Sequence, residues 1–424
     1  MSINDPDRGT VTIKPIYIGI HHYQNVYGSV CSPDMKGAPP IDAPTATEIR
    51  DSVRRMIEQF HAGTEAGFVE VAEPYVVAEH RDMRALASEL TYDVDALLVG
   101  SYGQRPWEEF TLAQYGIPII SGPVSDEFLR ALRVKRFLRQ SKFLYIGEIP
   151  SFSAPSGPYD FNEIEQRLGV RVRHIETNHF YRIFDGLSEA EVAAELDTWQ
   201  QEFGRVEPDR QSMLEAVRAY LALRRLCETE DANGVTINCG RFTEERPIVP
   251  CLAFDRLIDE GIMCACEGDI TAMLASLLLH AASEQPVLMG NFGYREGMFE
   301  ARAGEVTIEH DIIPASMASE PYTVRDYHGR QFGVTAYADI KRDQPMTLLN
   351  LDSSLDEIVV IEGHTISSED GIHCRIIIHM SVDGDVAALP ELLVGSQHVC
   401  MAYGHWLGVL NEARDLLGLK LRHL

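Results

Sequence analysis

The chain has 424 residues and a formal net charge of −27, from 64 acidic and 37 basic side chains. Such a field repels phosphate backbones and anionic membrane surfaces, which argues against nucleic-acid and membrane partners. With 45% hydrophobic residues the composition is that of a globular protein, and the length predicts roughly three domains.

The N-terminal residues are polar and lack the apolar core of a signal peptide. No stretch reaches the ~18 continuous apolar residues that a membrane span needs. Several of the eight cysteines lie in apolar runs, which is typical of reduced, buried thiols. Cys264 and Cys266 do not have the spacing of a structural zinc site. We therefore expect a cytoplasmic protein.

The first third of the chain alternates short apolar runs with helical patterns. Continuous apolar strands between helices indicate a doubly wound parallel sheet of the Rossmann type. We assign residues 1–140 to an N-terminal α/β domain. Its predicted strands are 15–20, 67–72, 95–100 and 117–120, and its predicted helices are 47–59, 81–90 and 126–139.

The same alternation then restarts and predicts a middle α/β domain at residues 141–300. Its predicted strands are 143–146, 170–175, 235–238, 262–266 and 286–289. Its predicted helices are 160–168, two long helices within 189–227, 251–259 and 270–282. After about residue 305, alternating patterns and Gly, Asp and Ser turns dominate, which predicts a mostly-β, barrel-like domain at 301–424 with a terminal helix at 406–417.

The densest group of chemically reactive side chains lies between residues 261 and 318. Glu267 and Asp269 stand where a buried strand turns into a helix, and Asn291 follows the next predicted strand. Ligand sites of open α/β sheets lie at the carboxyl ends of strands, so these side chains are expected to share a crevice. Glu267 has no evident packing role, whereas Asp269 has an alternative as the N-cap of its helix. His310 alternates with apolar residues on a strand and has an alternative as a packed histidine.

These segments resemble the metal-site half of the L-fucose and L-arabinose isomerases. The residues that carry the resemblance are the ACEGD sequence at 265–269, the 286–291 strand, His310 followed by Pro314 and Ser316, and the GSQH sequence at 395–398. The resemblance implies a carboxylate ligand at Glu267 and histidine ligands at His310 and His398. It also implies Mn²⁺, or Mg²⁺ or Co²⁺, as cofactor. The first 140 residues resemble the family only in their alternation of strands and helices, and they carry none of its specific motifs.

The chain departs from the family at Asn291. In the fucose branch an aspartate at this position serves as second ligand and base. An amide oxygen can still bind Mn²⁺ or Mg²⁺, but an amide is no general base. Asp269, Glu296, Glu300 and Glu309 are the nearby carboxylates that remain as a second base.

The implied reaction converts an aldose into a ketose through an enediol, and Glu267 is the candidate ligand and base, with Asn291 and Asp269 beside it. Without a second base, a related enediolate reaction becomes the alternative: epimerisation, or decarboxylation or cleavage of an oxidised or acidic sugar. A non-catalytic sugar-binding protein of the same fold is another alternative. A dehydrogenase is disfavoured because the first strand lacks a G-x-G-x-x-G motif.

The resemblance further implies a homo-oligomer, a trimer or hexamer, with its site at the subunit interface. Loop residues at strand ends are then candidates for contacting a small-molecule sugar, although a plain surface role is the alternative. These candidates are His21, His22, Tyr23, Ser101 and Trp107, with Arg375 in the C-terminal domain.

Overall fold

The computed structural model describes residues 9–19, 44–64, 66–78, 80–90, 93–102, 111–149, 157–246, 248–372 and 374–424. The chain divides into two compact units, one formed by Gly9–Arg136 and the other containing Phe137–Leu424. None of the helices in these ranges is long and apolar enough to cross a membrane.

The Gly9–Arg136 unit is built on a parallel sheet. Its strands are β1 (Val11–Ile18), β2 (Val69–Val71), β3 (Tyr75–Val77), β4 (Ala96–Ser101) and β5 (Ile119–Ile120). They lie in the order β2-β1-β4-β5, with β3 also paired to β1. Its helices are α1 (Ala46–Ala62), α2 (His80–Ala85) and the greater part of α3 (Asp126–Gln140), which continues past Arg136. Strand β1 is buried along nearly its whole length, as expected for a parallel strand covered on both faces.

A second parallel sheet opens the other unit. Its strands are β6 (Lys142–Ile146), β7 (Arg171–Ile175), β9 (Gly234–Ile237) and β10 (Met263–Ala265), in the order β10-β9-β6-β7. The helices around it are α4 (Phe161–Leu168), α5 (Thr177–Asp185), α6 (Glu189–Trp199), α7 (Arg210–Glu230), α8 (Cys239–Glu245), α9 (Cys251–Asp259) and α10 (Ile270–Ser283). Helix α10 is apolar on all sides and buried, so it packs between layers rather than on the surface.

The remaining strands close into a six-stranded antiparallel barrel. They are β11 (Leu288–Gly293), β12 (Val306–His310), β15 (Pro345–Leu351), β16 (Glu357–Asp370), β17 (Ile376–Val382) and β18 (His398–Tyr403). Their order is β15-β18-β11-β12-β17-β16, and the pairing of β15 with β16 closes the barrel. Strand β19 (Lys420–His423) adds to β16 in parallel, and a small separate sheet contains β8 (Arg205–Val206), β13 (Thr323–Arg325) and β14 (Thr335–Tyr337). The last two α-helices of the described residues are α11 (Leu389–Leu392) and α12 (Leu407–Leu417).

The predicted fold class, two α/β sheets followed by a β barrel, is confirmed. One strand was assigned to the wrong sheet. The apolar run predicted as a parallel strand at 286–289 belongs to β11, which extends to Gly293 and pairs antiparallel with β12 and β18. A short buried apolar run fits either kind of sheet, so periodicity alone does not separate them.

Candidate metal centre

A tight turn between β10 and helix α10 carries the first site residue, Glu267. Both Glu267 (φ +61°) and Gly268 (φ +65°) adopt left-handed backbone conformations. The amide of Gly268 donates to the carbonyl oxygen of Ile237 at 2.8 Å, which fixes the turn to the neighbouring strand β9. The side chain of Glu267 is 48% exposed, although Cys266 before it and Asp269 after it are buried.

Asp269 performs two structural tasks. Its Oδ1 accepts from the amide of Ala272 at 2.9 Å and so caps helix α10, as the sequence alternative proposed. Its Oδ2 accepts from Nδ1 of His398 at 2.8 Å. Burial raises the pKa of Asp269, but hydrogen bonds from His398, Ser396 and Ala272 outweigh that effect and hold the pKa below its usual value. The carboxylate therefore fixes the His398 ring and leaves Nε2 facing Glu267, 3.7 Å from Oε2.

His310 completes the group from the end of strand β12. Its Nε2 lies 3.9 Å from Oε1 of Glu267, and its ring centroid is 5.8 Å from that of His398. Burial, together with the nearby His398, lowers the pKa of His310 to about 4. The imidazole is therefore uncharged at neutral pH, which is the form that ligates a metal.

The three side chains offer a compact set of donors. One ligand atom from each of Glu267, His310 and His398 lies within 4.8 Å of the others. Nε2 of His398, which faces Glu267, is buried and has no hydrogen-bond partner among the described residues. An unpaired buried nitrogen is costly, and a cation beside it would remove that cost. Two imidazoles and a carboxylate suit a first-row divalent metal, so the residues fit the expected cofactor.

Asn291 lies inside strand β11 rather than after a parallel strand, so the predicted placement was wrong. It pairs with Glu309 on β12 and with His398 on β18. Its Oδ1 accepts from Nε2 of Gln397 at 2.6 Å, and its Nδ2 donates to the carbonyl oxygen of Glu309 at 3.4 Å. The neighbouring strand thus holds the amide at the edge of the site.

A cavity of about 540 Å³ adjoins this group. Glu267, Asn291 and His310 line it, together with Glu300 and Glu309, two of the carboxylates considered as a second base. Asp269 and Glu296 do not belong to its described lining. The volume is within the range of pockets that hold small ligands.

Sequence reasoning missed other residues of the cavity wall. Nε2 of His328 lies 2.8 Å from Oδ2 of Asp311, and His328 has a left-handed backbone (φ +50°). The Sγ atoms of Cys239 and Cys266 are 3.2 Å apart. A polar turn and isolated cysteines give no periodic signal, so only tertiary structure reveals these contacts.

The predicted substrate contacts fall in different places. His21, His22, Tyr23 and Trp107 lie outside the described residues. Ser101 ends strand β4 and lines a cavity of about 590 Å³ within the Gly9–Arg136 unit. The guanidinium of Arg375 donates to Oδ1 of Asp326 at 2.9 Å and to the carbonyl oxygen of Gly371 at 3.0 Å, and it is buried. These hydrogen bonds tie Arg375, just before β17, to Asp326 and to Gly371 after β16. A substrate contact by Arg375 stays a prediction.

Residues 159–284 match the family model of the L-arabinose isomerase central domain. The match covers less than a third of the chain and includes Glu267 and Asp269, but neither His310 nor His398. No curated protein matches the chain significantly. The match supports a relationship to the sugar isomerases, without singling out the fucose branch.

Proposed function

We propose that this protein is a metal-dependent aldose–ketose isomerase acting on a monosaccharide, with a divalent cation held by Glu267, His310 and His398. The observation that carries the proposal is the convergence of these ligand atoms within 4.8 Å, with Nε2 of His398 buried and unpaired, beside a 540 Å³ cavity. The match to the arabinose isomerase central domain supports the class of reaction.

When bound, the cation would supply electrostatic stabilisation of the negative charge that develops on the two oxygens of an enediolate. The resemblance to the sugar isomerases makes Mn²⁺ our first choice, with Mg²⁺ and Co²⁺ as alternatives. Asp269 keeps His398 in one tautomer and orientation through its 2.8 Å hydrogen bond. Burial keeps His310 neutral and ready to ligate.

Proton transfer requires a base that reaches the substrate carbon. In the isomerisation one proton leaves C2 and one is delivered to C1, while the hydroxyl proton passes between the two oxygens. Glu267 is our candidate because its half-exposed carboxylate faces the cavity. Glu309 or Glu300, on the same cavity wall, is the candidate for a second transfer.

The fixed amide of Asn291 favours a second candidate function. Because it cannot accept a proton, a single base at Glu267 would suit epimerisation, or decarboxylation or cleavage of an oxidised or acidic sugar, equally well. A non-catalytic sugar-binding protein is less well supported, because sugar binding alone does not need a carboxylate and two histidines converging beside the cavity.

The test combines metal analysis with a substrate screen. Purified protein is stripped with a chelator, and aldoses and ketoses are assayed with and without Mn²⁺. Glu267→Gln and His398→Ala should lose both metal and interconversion, whereas Glu296→Gln, outside the described cavity lining, should keep both. Bound metal without interconversion would move the function to another enediolate reaction. Absence of metal from the wild-type protein would contradict the proposal.

A further inference from the structure

A second group of metal-ligating side chains lies on the barrel, apart from the cavity described above. It consists of His364, Asp383 and His405, which are exposed and offer one ligand atom each within 4.8 Å of the others. None of them lines the 540 Å³ cavity. We propose that this group is a second metal site, and that it binds Zn²⁺.

Backbone hydrogen bonds of adjacent strands hold the three residues in place. His364 lies in the middle of strand β16, paired with Pro345 of β15 and with Ser381 of β17. Asp383 follows β17, and its amide donates to the carbonyl oxygen of Glu362 at 2.8 Å. Donor groups that are carried on a rigid sheet lose little entropy when they bind an ion.

His405 reaches the same place from the end of β18. The amide of Gly404 donates to the carbonyl oxygen of Pro345 at 2.7 Å, and this turn brings the His405 ring over β16. Strands β15, β16, β17 and β18 thus all meet at this group, although His364 and His405 are 41 residues apart in the chain.

The two imidazole rings have an arrangement that one ion can bridge. Their centroids are 5.5 Å apart and their planes are inclined by 79°, so the rings do not stack. Nε2 of His405 lies 3.4 Å from the carbonyl oxygen of Gly363. A histidine that ligates a metal through one nitrogen commonly directs the other towards such an oxygen.

The donor set, two imidazoles and one carboxylate, is the same as at the first centre and suits first-row divalent cations. Imidazole nitrogens prefer Zn²⁺, Ni²⁺ and Cu²⁺ over Mg²⁺ and Ca²⁺, which favour oxygen ligands. Zn²⁺ bonds to nitrogen and carboxylate oxygen are about 2.0–2.2 Å long, so atoms sharing one ion lie at most ~4.4 Å apart. The ligand atoms of the three residues all lie within 4.8 Å of one another, so at most small rotations of exposed side chains are needed to bring them to this spacing. The net charge of −27 also concentrates cations near the surface.

The inference does not depend on the proposed function. A titration with Zn²⁺ as the only metal tests this second site and the proposed catalytic centre separately. Chelator-stripped protein is titrated by equilibrium dialysis, with the wild type compared with His364→Ala/His405→Ala and with His310→Ala. We expect the double variant to bind one Zn²⁺ per chain fewer than the wild type. The exposed His423 on β19 lies outside the group, so His423→Ala is a matched control that should retain the wild-type stoichiometry.

A second readout uses the His310→Ala background, in which the other centre is disrupted. There Zn²⁺ should raise the unfolding temperature, because an ion that ties several strands together stabilises only the folded chain. Adding His364→Ala and His405→Ala should abolish that shift, and metal-free melting curves would verify that the variants fold. Equal Zn²⁺ stoichiometry in the wild type and the double variant would overturn the inference. Loss of Zn²⁺ in the double variant but not in His310→Ala would keep it and contradict the proposed catalytic centre instead.

Discussion

Glu267 combines a left-handed backbone conformation with the proposed role of metal ligand. A left-handed conformation costs a residue with a side chain on the order of 1 kcal/mol, and it persists only where the surroundings enforce it. Here the following Gly268 is also left-handed and bonds to Ile237, so the turn directs the carboxylate towards His310 and His398. Glycine would fit the backbone better, but it would remove the proposed ligand.

The first prediction separates these two roles of Glu267. Glu267→Gln keeps the shape and the strain but loses the charge, so we expect loss of bound metal and a fall in kcat of about 100-fold or more. Glu267→Gly should show the same losses, yet be more stable than Glu267→Gln by about 1 kcal/mol. Metal analysis, kinetics and urea unfolding measure these effects. Full activity in Glu267→Gln would contradict the assignment.

The second prediction concerns Asn291. Restoring a carboxylate with Asn291→Asp supplies a second base between Glu309 and His398, and Gln397 can still donate to it. We expect isomerase activity on common pentoses or 6-deoxyhexoses to appear or to rise by about tenfold or more. Asn291→Ala serves as the control for loss of the amide. If Asn291→Asp changes no activity, this would argue against a position of residue 291 near the reacting carbons of the substrate.

Helix α10 connects the parallel sheet to the barrel. Its N-cap Asp269 also holds His398 of strand β18, so one carboxylate joins the two sheets at the site. The sequence placed this helix at 270–282, close to the observed Ile270–Ser283.

The third prediction uses this double role of Asp269. Asparagine caps helices as well as aspartate does, so Asp269→Asn should leave stability nearly unchanged. It replaces the charged acceptor of His398 Nδ1, and we expect Mn²⁺ affinity to fall about 10- to 100-fold. Asp269→Ala should lose the same affinity and about 1 kcal/mol or more of stability. Metal titration and denaturant unfolding distinguish the two variants, and equal stability would contradict the capping role.

The fourth prediction concerns Asp255 on helix α9. Its side chain is fully buried, Oδ1 accepts from the amide of Ile313 at 2.7 Å, and burial raises its pKa well above the usual value. A raised pKa means that folding takes up a proton, so this group favours folding most at low pH and less as pH rises from about 4 towards the folded-state pKa. Asp255→Asn keeps the acceptor without that penalty, so its stability advantage over the wild type should grow with pH. Unfolding curves at pH 5 and pH 8 test the sign, and an advantage that shrinks with pH would contradict it.

The elements also show what sequence can and cannot predict. Apolar runs bounded by turns identified the parallel strands, and the polar turn after β10 identified Glu267. The sequence could not assign β11 to the barrel, because membership of a sheet depends on distant pairings such as that of Asn291 with His398. The sequence could not predict the Asp311–His328 contact either, because its partners are 17 residues apart and share no helix or strand.

The proposed metal centre is complete within the Phe137–Leu424 unit. The parallel sheet supplies Glu267, and the barrel supplies His310 and His398. Ser101 lies in the Gly9–Arg136 unit, at the end of a parallel strand and beside that unit's own cavity. We propose that the protein is a homo-oligomer, and that the region of Ser101 contacts the sugar bound by a neighbouring subunit.

The fifth prediction tests this arrangement by mixing subunits. Glu267→Gln and Ser101→Arg, each expected to be impaired alone, are co-expressed with different tags and purified through both tags in succession. In a closed ring, about a quarter of the sites of a hexamer, or about a third of those of a trimer, would then combine an intact Glu267 with an intact Ser101 from the neighbour, so activity should reappear. A doubly tagged oligomer that stays inactive would show that each substrate site is built from one chain. Absence of any doubly tagged species would contradict the oligomer itself.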